Sequence, residues 1–356
     1  MLLGLKDGIT ERLIPSFFYN LPLKKQRMLR RDRITMLIWW LMIPAGLTGQ
    51  ERFLEALFDS VDIQTYTYTS KDGHNLDMDL YFPYGDTLSA RPTVLFVHGG
   101  GFSGGSRNSP EIVVFCRRLA EHGYLAASIS YRLTRQGEPT AFGCDCPATD
   151  KLNTFQSAVE DLQDATAFLI RERESLGVDP HSIILAGSSA GAETVLNAAY
   201  QPPYCFGLDS GPVSYAGVIA MAGAIPDTSR IFADSAIPSL LFHGTCDNLV
   251  PYASASHHFC PPTKPGYLLL HGAHTIARKL AAVNAPYWLH TTCGGGHEMA
   301  SRPLSAYFRE ILEFGYHYVL HKRWETRHTV IAGDQNKCDF RKFSFCEEKT
   351  YLKTGS

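Results

Sequence analysis

The chain reads as an α/β protein with a mostly parallel sheet, helices on both faces and an antiparallel hairpin at the N-terminal edge. Three observations predict this. Strand-like and helix-like segments alternate between residues 93 and 321, the order that parallel crossover connections impose. Several of the strands are unbroken apolar runs, as strands covered on both faces are. One of them, at 183–185, leads through Gly187-Ser188-Ser189-Ala190-Gly191 straight into a helix-forming run.

Taken in order, the chain begins with a basic leader. Arg27, Arg30, Arg31 and Arg33 precede an uncharged apolar run at 34–47, and Gly46-Leu47-Thr48-Gly49 place small residues before Gln50. The run is shorter than the ~20 residues of a bilayer span, and Pro44 interrupts it. Residues 1–49 are therefore expected to be a leader and secretory signal peptide, with Met28 as an alternative start and no stable membrane span after its removal. The competing reading is an interfacial or core-packed helix. Export implies a secreted or periplasmic protein.

Residues 61–68 and 76–82 alternate in polarity around Lys71-Asp72-Gly73, the signature of a hairpin. A buried strand at 93–97 runs directly into His98-Gly99-Gly100-Gly101-Phe102. A helix at 111–122 and a strand at 125–130 follow. The stretch 137–151 has no periodicity and the length of a lid or pocket wall. Leu152, Phe155, Val159, Leu162 and Leu169 recur at helical spacing and mark a long core-packed helix. After the helix at 192–200 come strands at 217–221 and 239–243, helical runs at 268–283 and 304–321, and between them a strand at 287–291. We expect a catalytic domain over 50–321 and a polar C-terminal extension over 322–356, either pinned by a disulfide or disordered.

Composition narrows the partners. With 45% hydrophobic and 19% charged residues the chain is of ordinary globular type, and Lys+Arg 33 against Asp+Glu 35 gives a net charge of -2. No global field recruits nucleic acid. All nine cysteines lie beyond position 115. In an oxidising compartment some should pair, and the odd number leaves at least one thiol over. Cys144 and Cys146 form a lone C-x-C, so a structural metal is a weak reading.

In a doubly wound sheet chemistry collects at the carboxyl ends of the strands, and four segments place reactive groups there. They are His98-Gly-Gly-Gly-Phe102, Ser189, Asp247 within His243-Gly-Thr-Cys-Asp-Asn-Leu-Val-Pro251, and His297 after Gly294-Gly-Gly. A serine hydroxyl is a poor nucleophile at neutral pH. An imidazole must take its proton, and a carboxylate must hold that imidazole in the right tautomer. Ser189, His297 and Asp247 suit these roles. Gly100, Gly101 and Ala190 carry backbone N–H groups that can meet a tetrahedral oxyanion. Singly, each has a plainer role: Ser189 and Asp247 as turn residues, His297 as a surface histidine, the glycine run as a connector. Jointly, and in the order Ser, Asp, His, they specify a nucleophile elbow with its partners.

The set HGGGF, SYRL, DPHSIILAGSSAG, HGTCDNLVPY and GGGH resembles the α/β-hydrolase superfamily, specifically HGGG-type carboxylesterases and lipases close to the hormone-sensitive-lipase-like and acetyl-xylan or feruloyl esterase groups. The resemblance covers about residues 61 to 321. It implies an eight-stranded sheet, a serine-esterase mechanism, no cofactor, and a small-molecule or polysaccharide ester as substrate. Ser188 departs from the Asp that many hormone-sensitive-lipase-like members carry there. Cys246 and Cys293 fall on strands that would be neighbours in this fold, where they form either a disulfide joining acid loop to base loop or a pair of packed thiols. Two rivals remain: an amidase or peptidase of the same fold, and a catalytically silent binding module.

Overall fold

A computed structural model describes residues 51–201, 214–333, 338 and 342–347. All belong to the unit Gln50–Ser356. The signal peptide expected over 1–49 and Cys205 lie outside the described residues.

The hairpin forms as expected. β1 (Val61–Lys71) and β2 (His74–Pro83) pair antiparallel, and the chain reverses at Asp72 and Gly73, both at positive φ (53° and 78°). β3 (Arg91–Val97) is buried throughout. Then come α1 (Pro110–Glu121), β4 (Leu125–Ile129), α2 (Ala148–Arg171) and the single-turn α3 (Arg173–Leu176). β5 (Val178–Ser188) feeds α4 (Ala190–Tyr200). β6 (Gly217–Met221), the short β7 (Ala224–Ile225), β8 (Ser239–Gly244) and β9 (Ser254–Ser256) follow. β10 (Leu269–Gly272), α5 (Ala273–Ala282) and β11 (Tyr287–Cys293) lead to α6 (Pro303–Ala306) and α7 (Phe308–Glu313), and β12 (Thr326–Ala332) closes the series.

The main sheet has the order β1-β2-β4-β3-β5-β6-β8-β11-β12. From β4 to β12 every pairing is parallel, and β2 runs against both its neighbours. Strand alternation splits the core in two. Leu95, Val97, Leu185, Leu241 and Leu289 face one layer, where Phe155, Leu162, Val195 and Ile276 of α2, α4 and α5 cover them. Val94, Phe96, Ile184, Ala186, Leu240 and Phe242 face the other, against Phe115 and Leu119 of α1 and Ile311 and Phe314 near the C-terminus. The central strands are thereby dry on both faces, which is why they read as continuous apolar runs.

Three expectations change. The run 268–283 is not one helix: Leu269–Gly272 forms β10, which pairs with β7 and β9 in a separate three-stranded sheet. A short apolar run is ambiguous between strand and helix until a partner edge decides it. The run 304–321 divides into α6, α7 and a π-helical segment, Phe314–Leu320. The extension contributes β12, which pairs parallel with β11 from Tyr287 to Cys293 and adds a ninth strand to the eight expected.

The disulfides also differ from expectation. Cys246 pairs with Cys338 and Cys293 with Cys346, so each loop is tied to the C-terminal extension and not to the other. Acid and base loops are joined by hydrogen bonds instead: the Cys246 N–H donates to the Gly295 carbonyl at 2.7 Å, and the Gly294 N–H to Thr245 Oγ1 at 2.8 Å. Cys144 pairs with Cys260, while Cys116 and Cys146 are buried free thiols.

Candidate active site

The site sits where β3, β5, β8 and β11 end. At the end of β5 the chain turns so sharply that Ser189 adopts φ 50°, ψ -120°, a conformation disfavoured for any residue with a side chain. Its N–H donates to the Met221 carbonyl at 2.9 Å, which holds the turn against β6. The turn also demands close approach: a Cβ on Gly191 would stand 2.0 Å from the Val97 carbonyl oxygen. The G-x-S-x-G pattern thus records a steric requirement.

Ser189 Oγ lies 2.8 Å from His297 Nε2, and His297 Nδ1 lies 2.8 Å from Asp247 Oδ2. His297 opens a short 3₁₀ turn after β11. Asp247 lies in the loop after β8, where its Oδ1 accepts the N–H groups of Leu249 (2.9 Å) and Val250 (3.0 Å). Burial alone would raise the Asp247 carboxyl, but hydrogen bonds from His243 and His297 reverse this and hold it below the ordinary carboxylate range. The carboxylate is therefore charged at neutral pH and fixes a proton on His297 Nδ1, which leaves Nε2 free to accept from Ser189.

His243 belongs to this network and escaped the sequence reading as a site residue. Fully buried on β8, it places Nε2 3.3 Å from Asp247 Oδ2 and 3.1 Å from the Val250 carbonyl. It braces Asp247 through the same carboxylate oxygen that His297 meets. The i, i+4 spacing of His243 and Asp247 across a strand end was the available signal.

The glycine run after β3 faces Ser189. Gly100 has φ 120°, and a Cβ there would stand 2.2 Å from the Gly104 carbonyl oxygen, so only glycine permits this coil. Among the described residues, the N–H groups of Gly100, Gly101 and Ala190 find no protein acceptor, and all three line the same cleft as Ser189 and His297. Tyr131 of the SYRL segment holds this loop, donating its hydroxyl to the His98 carbonyl at 2.9 Å with its ring against the His98 imidazole. Arg132 anchors the same segment to α2 through Asp161.

The cleft has a volume of about 750 Å³. One wall carries Phe142 from the loop before α2. Another carries Leu249, Val250, His257 and His258. The Cys144–Cys260 disulfide clasps these two walls together. The aperiodic loop after residue 137 is thus a pocket wall. Among the described residues no cluster of His, Cys, Asp or Glu has the arrangement of a metal site, and no helix is long and apolar enough to cross a membrane.

The chain also matches known proteins. The BD-FAE family model matches residues 78–203, from β2 through the elbow helix. Ethyl acetate hydrolase of Pseudomonas putida is 30% identical over 141 residues, 39% of this chain, and the match spans 39% of that relative's length. Esterase 2 of Thermogutta terrifontis superposes with a TM-score of 0.53 at 18% identity, covering 73% of this chain and 94% of that one. Brefeldin A esterase, described as a bacterial homologue of human hormone sensitive lipase, superposes with a TM-score of 0.51 at 17% identity, over 74% of this chain and 78% of that one.

Proposed function

We propose that the chain, an α/β-hydrolase resembling the HGGG-type carboxylesterases, hydrolyses carboxylic esters through an acyl-enzyme formed on Ser189. The observation that carries the reading is the unbroken relay from Ser189 Oγ through His297 to Asp247, opening onto a cleft beside three unpaired backbone N–H groups.

The sequence of steps follows from that geometry. Ser189 Oγ attacks the ester carbonyl as His297 Nε2 takes its proton, and Asp247 stabilises the imidazolium. The tetrahedral oxyanion accepts from the N–H groups of Gly100, Gly101 and Ala190, preorganised donors worth roughly 3–4 kcal/mol each in such sites. Collapse expels the alcohol, which takes the proton from His297. A water molecule then repeats the cycle on the acyl-enzyme and restores Ser189.

The substrate class we favour is acetyl or feruloyl esters of polysaccharides or smaller hydroxylated compounds, met outside the cell. Three disulfides within the described residues support an oxidising location, as does the basic, apolar N-terminal stretch. Ser189→Ala should abolish turnover of a short-chain aryl ester and labelling by a fluorophosphonate while leaving the circular dichroism spectrum intact. Retained turnover would refute the mechanism. A matched amide in the same panel separates esterase from amidase, and a wild-type protein that neither turns over nor labels would be a binding module.

A further inference from the structure

The cleft beside Ser189 is lined by apolar and polar side chains alike, and two of the polar ones lie deep at its floor. Glu193, one turn along α4 from the nucleophile, and His257, just after β9, both line it and are each only 1% exposed. Glu193 Oε1 stands 3.4 Å from His257 Nε2 without hydrogen-bond geometry, and His257 Nδ1 has no hydrogen-bond partner among the described residues. The nearby ammonium of Lys151 donates to the Gly266 carbonyl at 2.9 Å and makes no hydrogen bond to Glu193 Oε1. The ring edge of Phe142, 5.2 Å from His257, offers no alternative.

Buried polar groups without partners are rare in folded proteins and destabilising. A pair of them on the floor of a ligand cleft is set to receive a polar group that the ligand brings. Burial, reinforced by the charge of Asp247 and only partly offset by Lys151, keeps the Glu193 carboxyl protonated far above the usual range. It therefore presents both an O–H donor and a carbonyl acceptor. Burial likewise keeps the His257 ring neutral, with one donor and one acceptor nitrogen. A hydroxyl group, itself donor and acceptor, complements such a pair.

We propose that Glu193 and His257 form a hydroxyl-recognition subsite, so that the preferred substrates are esters whose acyl or alcohol part carries a hydroxyl close to the scissile bond. The inference rests on the esterase reading above. Sites built to hydrogen-bond a hydroxyl discriminate strongly against the analogue lacking it, because the protein groups are otherwise left unpaired.

The test is the ratio of kcat/KM within two pairs in which a hydroxyl replaces a methyl group: 2-hydroxyethyl acetate against propyl acetate for the alcohol side, and ethyl 3-hydroxypropanoate against ethyl butanoate for the acyl side. Wild type should favour the hydroxylated member of at least one pair by about ten-fold or more. Glu193→Leu and His257→Phe should bring that ratio to about one, whereas Glu193→Gln, which keeps a donor and an acceptor, should preserve it. General damage to the fold lowers both members of a pair together and leaves their ratio unmoved. A wild-type ratio near one in both pairs, or a ratio unchanged in both Glu193→Leu and His257→Phe, would overturn the subsite while leaving the esterase standing. Failure of wild type to hydrolyse any of the four esters would overturn the esterase reading, and the subsite with it.

Discussion

The C-terminal extension is bolted to the two loops that carry Asp247 and His297, so cutting one bolt should be felt in stability and in catalysis together. The cleanest perturbation replaces Cys246 and Cys338 jointly by alanine, which leaves no orphan thiol and keeps the Cys293–Cys346 bridge. With that second bridge intact, the shortest covalent path between positions 246 and 338 runs through it and is about 55 residues long. In the chain-entropy model a loop of that size stabilises the folded state by about 4 kcal/mol. For a domain of this size that corresponds to a fall in Tm of roughly 6 °C. The catalytic effect follows from proximity. Cys246 adjoins Asp247, and its N–H meets the Gly295 carbonyl two residues before His297. Loosening that contact displaces the acid from the base, and a misplacement near 1 Å costs about 10²-fold in rate. Differential scanning calorimetry without reductant, paired with kcat on an aryl ester, reads both quantities. A Tm within about 2 °C of wild type and an unchanged kcat would refute the brace.

Further outcomes follow from the same structure. Ser189 stores backbone strain at φ 50°, about 1–3 kcal/mol, against which glycine loses about 0.5–1 kcal/mol through the entropy of the unfolded chain, so Ser189→Gly should raise stability by about 1–2 kcal/mol while eliminating activity, and a lowered Tm would contradict this. Asp247→Asn should reduce kcat by roughly 10³–10⁴-fold, because the amide can present its N–H₂ to His297 and reverse the tautomer; a loss below ten-fold would remove Asp247 from the relay. Burial, with Arg327 and His328 nearby, pushes the fully buried His290 down to about 4. Its folded value lies below its unfolded one, so the unfolded chain binds the extra proton, and stability falls as pH drops from about 6.5 to 4, by about 3 kcal/mol in total. His290→Phe, which keeps a ring between Phe242 and Tyr307, should flatten that part of the Tm–pH curve; an identical slope in the variant would assign the acid sensitivity elsewhere.

The two halves of the chain were unequally legible. β3, β5, β6, β8 and β11 could be placed because a strand covered on both faces has to be apolar along its whole length. Ser189, Asp247 and His297 could be brought together on paper because parallel strands deliver their carboxyl ends to one edge. The relay distances of 2.8 Å agree with that reasoning. The run at 268–283 misled, since Leu269–Gly272 is a strand only by virtue of the edges of β7 and β9 that receive it. The polar extension concealed β12 because an edge strand carries no apolar run to announce it: residues 326–328 are exposed and only 329–331 are partly covered.

By itself the sequence determined the layer architecture, the sharp turn at Ser189 and the order of the reactive groups. These depend on local patterning and on which positions tolerate a side chain, and both are written residue by residue. Tertiary structure alone decided the pairing of Cys246 with Cys338 and Cys293 with Cys346, the bracing of Asp247 by His243, and the meeting of Glu193 with His257 on the floor of the cleft. Each joins segments between 4 and 92 positions apart through contacts that exist only once the sheet has brought its strand ends together. Of these, only the i, i+4 spacing of His243 and Asp247 is written in the chain.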